Sequence, residues 1–424
     1  MKTRAILAII FAILLSGCMT GPDKEGWNSS QKNEFLHILE TDKYASICNK
    51  QAQYENVKNS RNSRLMTKML VDYAHNLANS CIDIYSFNAI QAHKKENKIT
   101  THFDLNQETI NTSTITNKLK AGFSVEKILE PYIPQTKQFA LLLEKYKALK
   151  QYGGSVTPEQ LKKIRLNIER TKLMKQNLGS DYAFINIPEY KVRFIDHNTT
   201  TALSFGVIVG KPHLQTPIFS APMKYITLNP QWSVPDSIAV GEIIPKLLRN
   251  KNYLKSHRMV IRKSYDLKSD PVDVNSVDWR AYLKENSKNG HLISRKPLLY
   301  KFIETPSKRN VLGRIKFIFP NSHSVYMHDT QTKKLFKRNA RPFSHGCIRV
   351  EKPMTMLNYV STKYTSKMYG EVKDLYETLN THHIRLNREL MVHTAYFTAY
   401  VDDDGILKLH SDIYGFDKSQ KLNF

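Results

Sequence analysis

Arg314-Ile315-Lys316-Phe317-Ile318-Phe319-Pro320-Asn321-Ser322-His323-Ser324-Val325-Tyr326-Met327-His328 is a strand, a turn and a returning strand written in sequence. Ile315, Phe317 and Phe319 alternate with Lys316 and Ile318, the two-residue period of a strand with one buried face. Pro320 to His323 supplies the turn, and Val325 to His328 starts the way back. By the same alternation Tyr326 and His328 share a face, so His328 is held on a rigid element. Downstream lies Ser344-His345-Gly346-Cys347-Ile348-Arg349-Val350, a cysteine next to a glycine and a histidine. A free thiol is mostly protonated at neutral pH, so a nucleophilic cysteine needs a base or a positive charge nearby. His328 and His345 are the candidates, and Gly346 allows the sharp turn that presents the sulfur. The pattern points to acyl transfer on a cysteine.

The chain has 424 residues, enough for two or three domains. Residues 1–17 form a targeting segment: basic Lys2 and Arg4, then an apolar run from Ala5 to Leu15, too short to span a membrane. Leu15-Ser16-Gly17-Cys18 resembles a bacterial lipobox, which makes Cys18 an acylated N-terminus tethered to a membrane. Met19 in place of aspartate favours the outer membrane of a Gram-negative cell. Of four cysteines, Cys18 is then for lipid and Cys347 for chemistry. Cys48 and Cys81 remain, for one disulfide in an oxidising periplasm or for two buried thiols. The formal charge is +25, yet the basic residues are scattered with no recognition motif. Export removes nucleic acid as a partner and leaves anionic envelope polymers as the counterpart of that charge.

Residues 18–30 are polar and read as a tether, and 31–154 as a helical scaffold domain. Leu65, Met69, Tyr73 and Leu77 recur every fourth residue with Cys81 continuing the stripe. Met66 and Met69 are core residues there, and His93 and His102 sit in polar sequence without ligand partners. Thr157-Pro158-Glu159-Gln160 carries a capping box and a proline at the first helical position, opening a connecting helix in 155–180 that Gly179 terminates. Beyond residue 180 the period becomes two, with strands expected at 184–187, 191–195 and 203–209. An irregular insertion of about 230–297 reads as a cap. The tail forms a hairpin around Asp402-Asp403-Asp404-Gly405. The fold class is therefore α+β, a helical N-terminal domain followed by a mostly β domain at 181–424.

These residues resemble the L,D-transpeptidases with a YkuD-type catalytic domain, in their longer YcbB-like branch. The likeness rests on Ser344-His345-Gly346-Cys347 with His328 upstream, and on Asn186-Ile187-Pro188-Glu189-Tyr190. It also rests on Leu228-Asn229-Pro230 with Trp232, on Tyr326-Met327-His328-Asp329-Thr330, on Phe397-Thr398-Ala399-Tyr400 and on Asp412-Ile413-Tyr414-Gly415. The loop Glu304 to Gly313 departs from the branch pattern, and no separate peptidoglycan-binding module is evident. The resemblance implies 3→3 cross-linking of peptidoglycan stem peptides through a Cys347 thioacyl-enzyme, with no cofactor and no metal. His328 is the implied base, and backbone N–H groups at Gly346 and Cys347 the implied oxyanion hole. His345 supports the substrate or the tetrahedral intermediate. Arg349, Ser344, Tyr326, Asn229 and Trp232 are the implied substrate contacts, Arg349 through a carboxylate or else a structural salt bridge.

Three rival readings belong to other classes. A zinc hydrolase using His328, His345 and Cys347 is disfavoured because two of these ligands lie two apart on a tight turn. A hydrolase on the same fold would let water resolve the acyl-enzyme, as a carboxypeptidase or an endopeptidase acting on murein or wall-linked lipoprotein. A non-catalytic murein-binding scaffold would have no need of the His328/Cys347 pair.

Overall fold

The computed structural model describes residues 22–84, 86–87, 107–153, 156–197, 200–294, 296–420 and 422. The targeting segment, Cys18, His93 and His102 lie outside them. Among the described residues, no helix is long and apolar enough to cross a membrane. Two compact units are present. One holds the described residues up to Cys81 with Gln107–Pro134 and Leu422; the other holds 82–87 and everything from Gln135 to Gln420.

The first unit is helical. Its Ser63–Asn79 helix is capped by Asn62, which accepts from the Leu65 N–H, and buries Met66, Met69, Leu70, Tyr73 and Leu77. Ser80 at φ +75° ends it, so Cys81 is off the stripe expected to include it. Cys81 is instead joined to Cys48 by a disulfide. The stretch expected to be a tether is folded from Asp23 onward. Trp27 is buried and its indole N–H donates to Thr67 Oγ1 at 2.9 Å. Asn28 then caps the Ser29–Glu40 helix. A large aromatic side chain with a hydrogen-bond partner overrides the polar composition around it.

The helices Lys137–Tyr152 and Pro158–Lys172 belong to the second unit, not to a separate N-terminal scaffold. Gln138 Nε2 donates to the Val401 carbonyl, and Asn167 Oδ1 accepts from the Thr398 N–H. Thr157 and Gln160 form the capping box. The helix stops at Lys172, short of Gly179, and nearly every side chain in its second half is buried. Its buried charges are paired: Glu169 takes Lys172 at 2.8 Å and also Arg165, while Arg170 reaches Asp417 at 2.8 Å. Pairing of this kind is what permits charge at such depth.

The sheet begins with β1 (Tyr182–Asn186), β2 (Lys191–Asp196), β3 (Thr200–Gly210) and β4 (Ser220–Leu228). The cap follows. Its strands β5 (Trp232–Ser233), β6 (Met259–Arg262) and β9 (Lys301–Glu304) pair in the order β5-β9-β6 beside a small hairpin, β7 (Ser287–Lys288) with β8 (His291–Leu292). It packs its own core around Val240, Ile243, Ile244, Trp279 and Phe302, and closes at Glu304 rather than at 297. The sheet resumes with β10 (Ile315–Ile318), β11 (Met327–His328), β12 (Pro342–Ser344), β13 (Ile348–Val350) and β14 (His382–Ala395). Its order is β12-β3-β13-β11-β10-β4-β14-β1-β2, and β2 also pairs with β3. The sheet therefore closes into a ring with β12 outside it, which removes the exposed edges. Asp402–Gly405 turns between β15 (Ala399–Val401) and β16 (Leu407–Leu409).

Candidate active site

Register builds the site. In the antiparallel pair β10–β11, Lys316 lies opposite His328; in the parallel pair β11–β13, His328 lies beside Arg349. Side chains two apart on a strand share a face, and so do cross-strand partners. Lys316, Tyr326, His328, Cys347 and Arg349 thus occupy one face, while Ile315, Phe317, Met327 and Ile348 are buried on the other. The turn before β11 is made by Asn321, whose Oδ1 accepts from the N–H groups of His323 and Val325. It leaves Ser324 at φ +56° with its carbonyl toward the thiol: Cys347 Sγ donates to Ser324 O at 3.8 Å.

Gly346 has φ +108°, and a Cβ there would meet the Gln215 carbonyl at 3.4 Å, so glycine alone is at ease in this turn. Its carbonyl accepts from Thr216 Oγ1 at 2.8 Å. Its N–H donates to Ser344 Oγ at 3.2 Å. That N–H is occupied in this structure, whereas the Cys347 N–H donates to no described group. The same hydrogen bond uses Ser344, whose side chain is buried.

His328 is buried, and its Nδ1 donates to the Asp329 carbonyl at 2.5 Å. A carbonyl only accepts, so Nδ1 carries the proton and Nε2 keeps the lone pair of the neutral ring. Asp329 is itself fixed, accepting from the N–H groups of Thr330 at 2.7 Å and Arg314 at 3.0 Å and pairing with Lys333. Burial, and then the positive charge of Arg349, push His328 down to about 4. Burial pushes the Cys347 thiol up, against the pull of the Tyr326 amide and hydroxyl, Lys316 and Arg349. The resting pair is therefore a neutral thiol and a neutral imidazole rather than an ion pair, and no hydrogen bond joins them here. Such bonds commonly form only when substrate closes the site.

Residues 180–373 match the sequence profile of the YkuD family, described as the L,D-transpeptidase catalytic domain. This part of the chain is similar to an L,D-transpeptidase catalytic domain. A Haemophilus influenzae protein named "Putative L,D-transpeptidase" is 27% identical over 260 residues, 61% of this chain and 49% of that protein. The chain thus spans about half the length of the curated relative it matches.

Within the matched stretch the expected substrate contacts divide. Tyr326 stands beside the thiol, its ring 5.6 Å from that of His328. Arg349 donates to Thr332 Oγ1 at 3.0 Å and has no carboxylate partner among the described residues, so the structural salt bridge is absent. Asn229 is not a substrate contact. It is buried at φ +47°, its Nδ2 donates to the carbonyls of Tyr376 and Asn380, and its Oδ1 accepts from Arg314 Nε at 2.9 Å. Every polar atom of that side chain is spent on holding the end of β4. Trp232 packs against the cap core and pairs with Glu304.

Two site residues escaped the sequence reading. Glu242, from a π-helical turn in the cap at Ala239–Ile243, accepts from His345 Nε2 at 2.6 Å. The His345 hydrogen bond, with Lys246, holds its carboxyl down to about 2 despite partial burial. A π-turn inside a helix is an unusual local geometry often found at functional positions, but no sequence period announces it. Lys316 looked like the solvent side of a strand; only the β10–β11 register places it across from His328.

Proposed function

We propose that the protein is a peptidoglycan L,D-transpeptidase that forms 3→3 cross-links. The observation that carries this reading is that Cys347 and His328 lie on one sheet face, inside the stretch that matches the catalytic domain. His328 Nε2 takes the thiol proton, and Sγ attacks the carbonyl of the third, diamino-acid residue of a donor tetrapeptide. The tetrahedral oxyanion is met by the Cys347 N–H; one such donor contributes about 3 kcal/mol in a dry, preorganised site. Collapse expels the terminal D-alanine, whose amine receives the proton from His328, and leaves a thioester. A side-chain amine of a second stem then attacks, gives its proton to His328 and releases the cross-linked product with the thiol restored.

Arg349, a guanidinium with no carboxylate of its own, is suited to a substrate carboxylate. His345, oriented by Glu242, supports the substrate from the cap side. The YcbB-like branch is supported by the motif order and by the cap between β4 and β10. A lipid on Cys18 places the enzyme on the periplasmic face of a membrane; intact mass should show that acylation, and an unmodified start elsewhere would refute it.

The test is incubation with defined tetrapeptide muropeptides followed by mass spectrometry. Dimers are expected, and Cys347→Ala should abolish them together with acylation by carbapenems. Shortened stems without dimers would make the enzyme a hydrolase instead.

A further inference from the structure

The site holds a second cation that the mechanism above leaves unused. Lys316 is half-buried on β10, directly across from His328, and its Nζ stands 3.7 Å from the centroid of the Tyr326 ring. A lysine in this position ordinarily finds a carboxylate. Among the described residues none pairs with it. Burial pulls its ammonium below the ordinary lysine value, and the charge that opposes this comes from Cys347. The effect is mutual, since Lys316 is among the groups that pull the thiol down.

Other charged and titratable groups around Lys316 are engaged elsewhere; on the β4 side Thr227 lies opposite it and is bonded to His383 at 3.0 Å. Arg349 is tied to Thr332 and acts on His328 as well as on the sulfur. His345 is paired with Glu242 in the cap. Asp329 is taken by Lys333 and two backbone amides. The Tyr326 hydroxyl is held un-ionised by burial and lies against the thiol. Its ring offers the ammonium a negative face, which holds the cation near the sulfur without neutralising it.

We propose that Lys316 is the counter-cation of the Cys347 thiolate. This rests on Cys347 being the nucleophile. When the S–H bond breaks, the proton goes to His328 and the electron pair stays on sulfur; Lys316 keeps its own proton throughout and stabilises that pair. It does so again when the thioester breaks and the electron pair of the C–S bond returns to sulfur. The arrangement divides two tasks. Arg349 disfavours a charged imidazole and so holds His328 neutral at rest, while Lys316 favours the anion that the transfer creates. A neutral thiol facing a neutral imidazole gains nothing from being charged at rest, so a cation poised beside it acts only as charge develops.

The experiment is the pH profile of Cys347 alkylation by iodoacetamide on the full chain, read on the Cys347 peptide by mass spectrometry. Lys316→Met and Lys316→Gln should move half-alkylation upward by about one pH unit, the ordinary effect of removing one nearby opposite charge. Lys316→Arg should stay within a few tenths of a unit of wild type. The rate deficit of the neutral variants should close at high pH, where the thiolate forms unaided; a merely structural defect would persist there. An unmoved profile in a folded neutral variant overturns the proposal.

Should both neutral variants fail to fold, the reciprocal measurement needs no change at Lys316. In Cys347→Ser, the NMR titration of labelled Lys316 should shift downward by a comparable amount, because coupling between two sites is mutual. No shift overturns the proposal. Alkylation is independent of turnover, so the two readings fail separately. An unmoved profile beside intact cross-linking removes Lys316 alone; a shifted profile in a protein that yields neither dimers nor shortened stems removes the enzymatic reading.

Discussion

At the residue scale, the site owes its chemistry to two opposed displacements. His328 is pushed down to about 4 by burial and by Arg349, while Cys347 is pushed up by burial. A base must be neutral to accept a proton, and the lower its pKa, the further into acid it stays neutral. The acid limb of kcat/KM should therefore fall well below 6.5, toward about 4. Arg349→Ala removes one of the two causes, so the limb should move upward; an acid limb near 6.5 in wild type would show His328 to be solvated in the free enzyme. His328, Cys347 and the turn at Gly346 were legible in the sequence, because alternation and a φ > 0 turn are local properties. The burial of Asn229 was not, because a buried amide that satisfies three neighbours has the same local sequence as one that faces a cleft.

At the scale of elements, the cap is joined to the catalytic loop through Glu242 and His345. A hydrogen bond to a charged group contributes roughly 1.5–3 kcal/mol when shielded, and both side chains here are partly exposed. Glu242→Ala should accordingly lower kcat about tenfold, the low end of that range, and raise hydrogen exchange at Ala239–Ile243. A variant with wild-type kcat would reduce the contact to packing.

The strand leaving the cap carries a different device. Glu304 is buried with no cation partner among the described residues, accepts from the Val311 N–H at 3.1 Å and is pushed up to about 7 by burial. Its folded value exceeds the unfolded 4.5, so the charged form is the disfavoured one in the fold. The penalty is absent below about 4.5, grows with rising pH and is complete above about 7. Glu304→Gln keeps an acceptor for Val311 and should stabilise the protein by on the order of 2 kcal/mol at pH 8, with no gain at pH 4. Denaturant titrations at the two pH values check the sign.

At the scale of the whole molecule, the two units carry different kinds of stabilisation. The helical unit holds the Cys48–Cys81 disulfide across 33 residues of chain. Closing a loop of that length restricts the unfolded chain by about 3–4 kcal/mol. Replacing both cysteines with alanine should lower that unit's denaturant midpoint accordingly, while the Cys347 alkylation profile stays where it was. The second unit depends on ring closure, with β14 paired in parallel to β1 and antiparallel to β4 across a register shift between Arg385 and Leu390. The helix Pro353–Tyr364 before that strand buries Met356, Leu357, Val360 and Tyr364 at helical spacing. The exposed middle of β14 interrupts the alternation that marks a strand.

What the sequence determined by itself was everything with a local cause: the capped helix at Thr157, the change of period near 180, the strand–turn–strand around Asn321, the thiol at a glycine turn. Tertiary structure alone decided the rest. Cross-strand register put Lys316 opposite His328 and Arg349 beside it, and the folding of the cap brought Glu242 to His345. The physical reason is that a two-residue period says which face a side chain takes but nothing about its neighbour on the next strand. That neighbour is chosen by hydrogen-bonded pairing between segments far apart in the chain, where no residue carries the address of its partner.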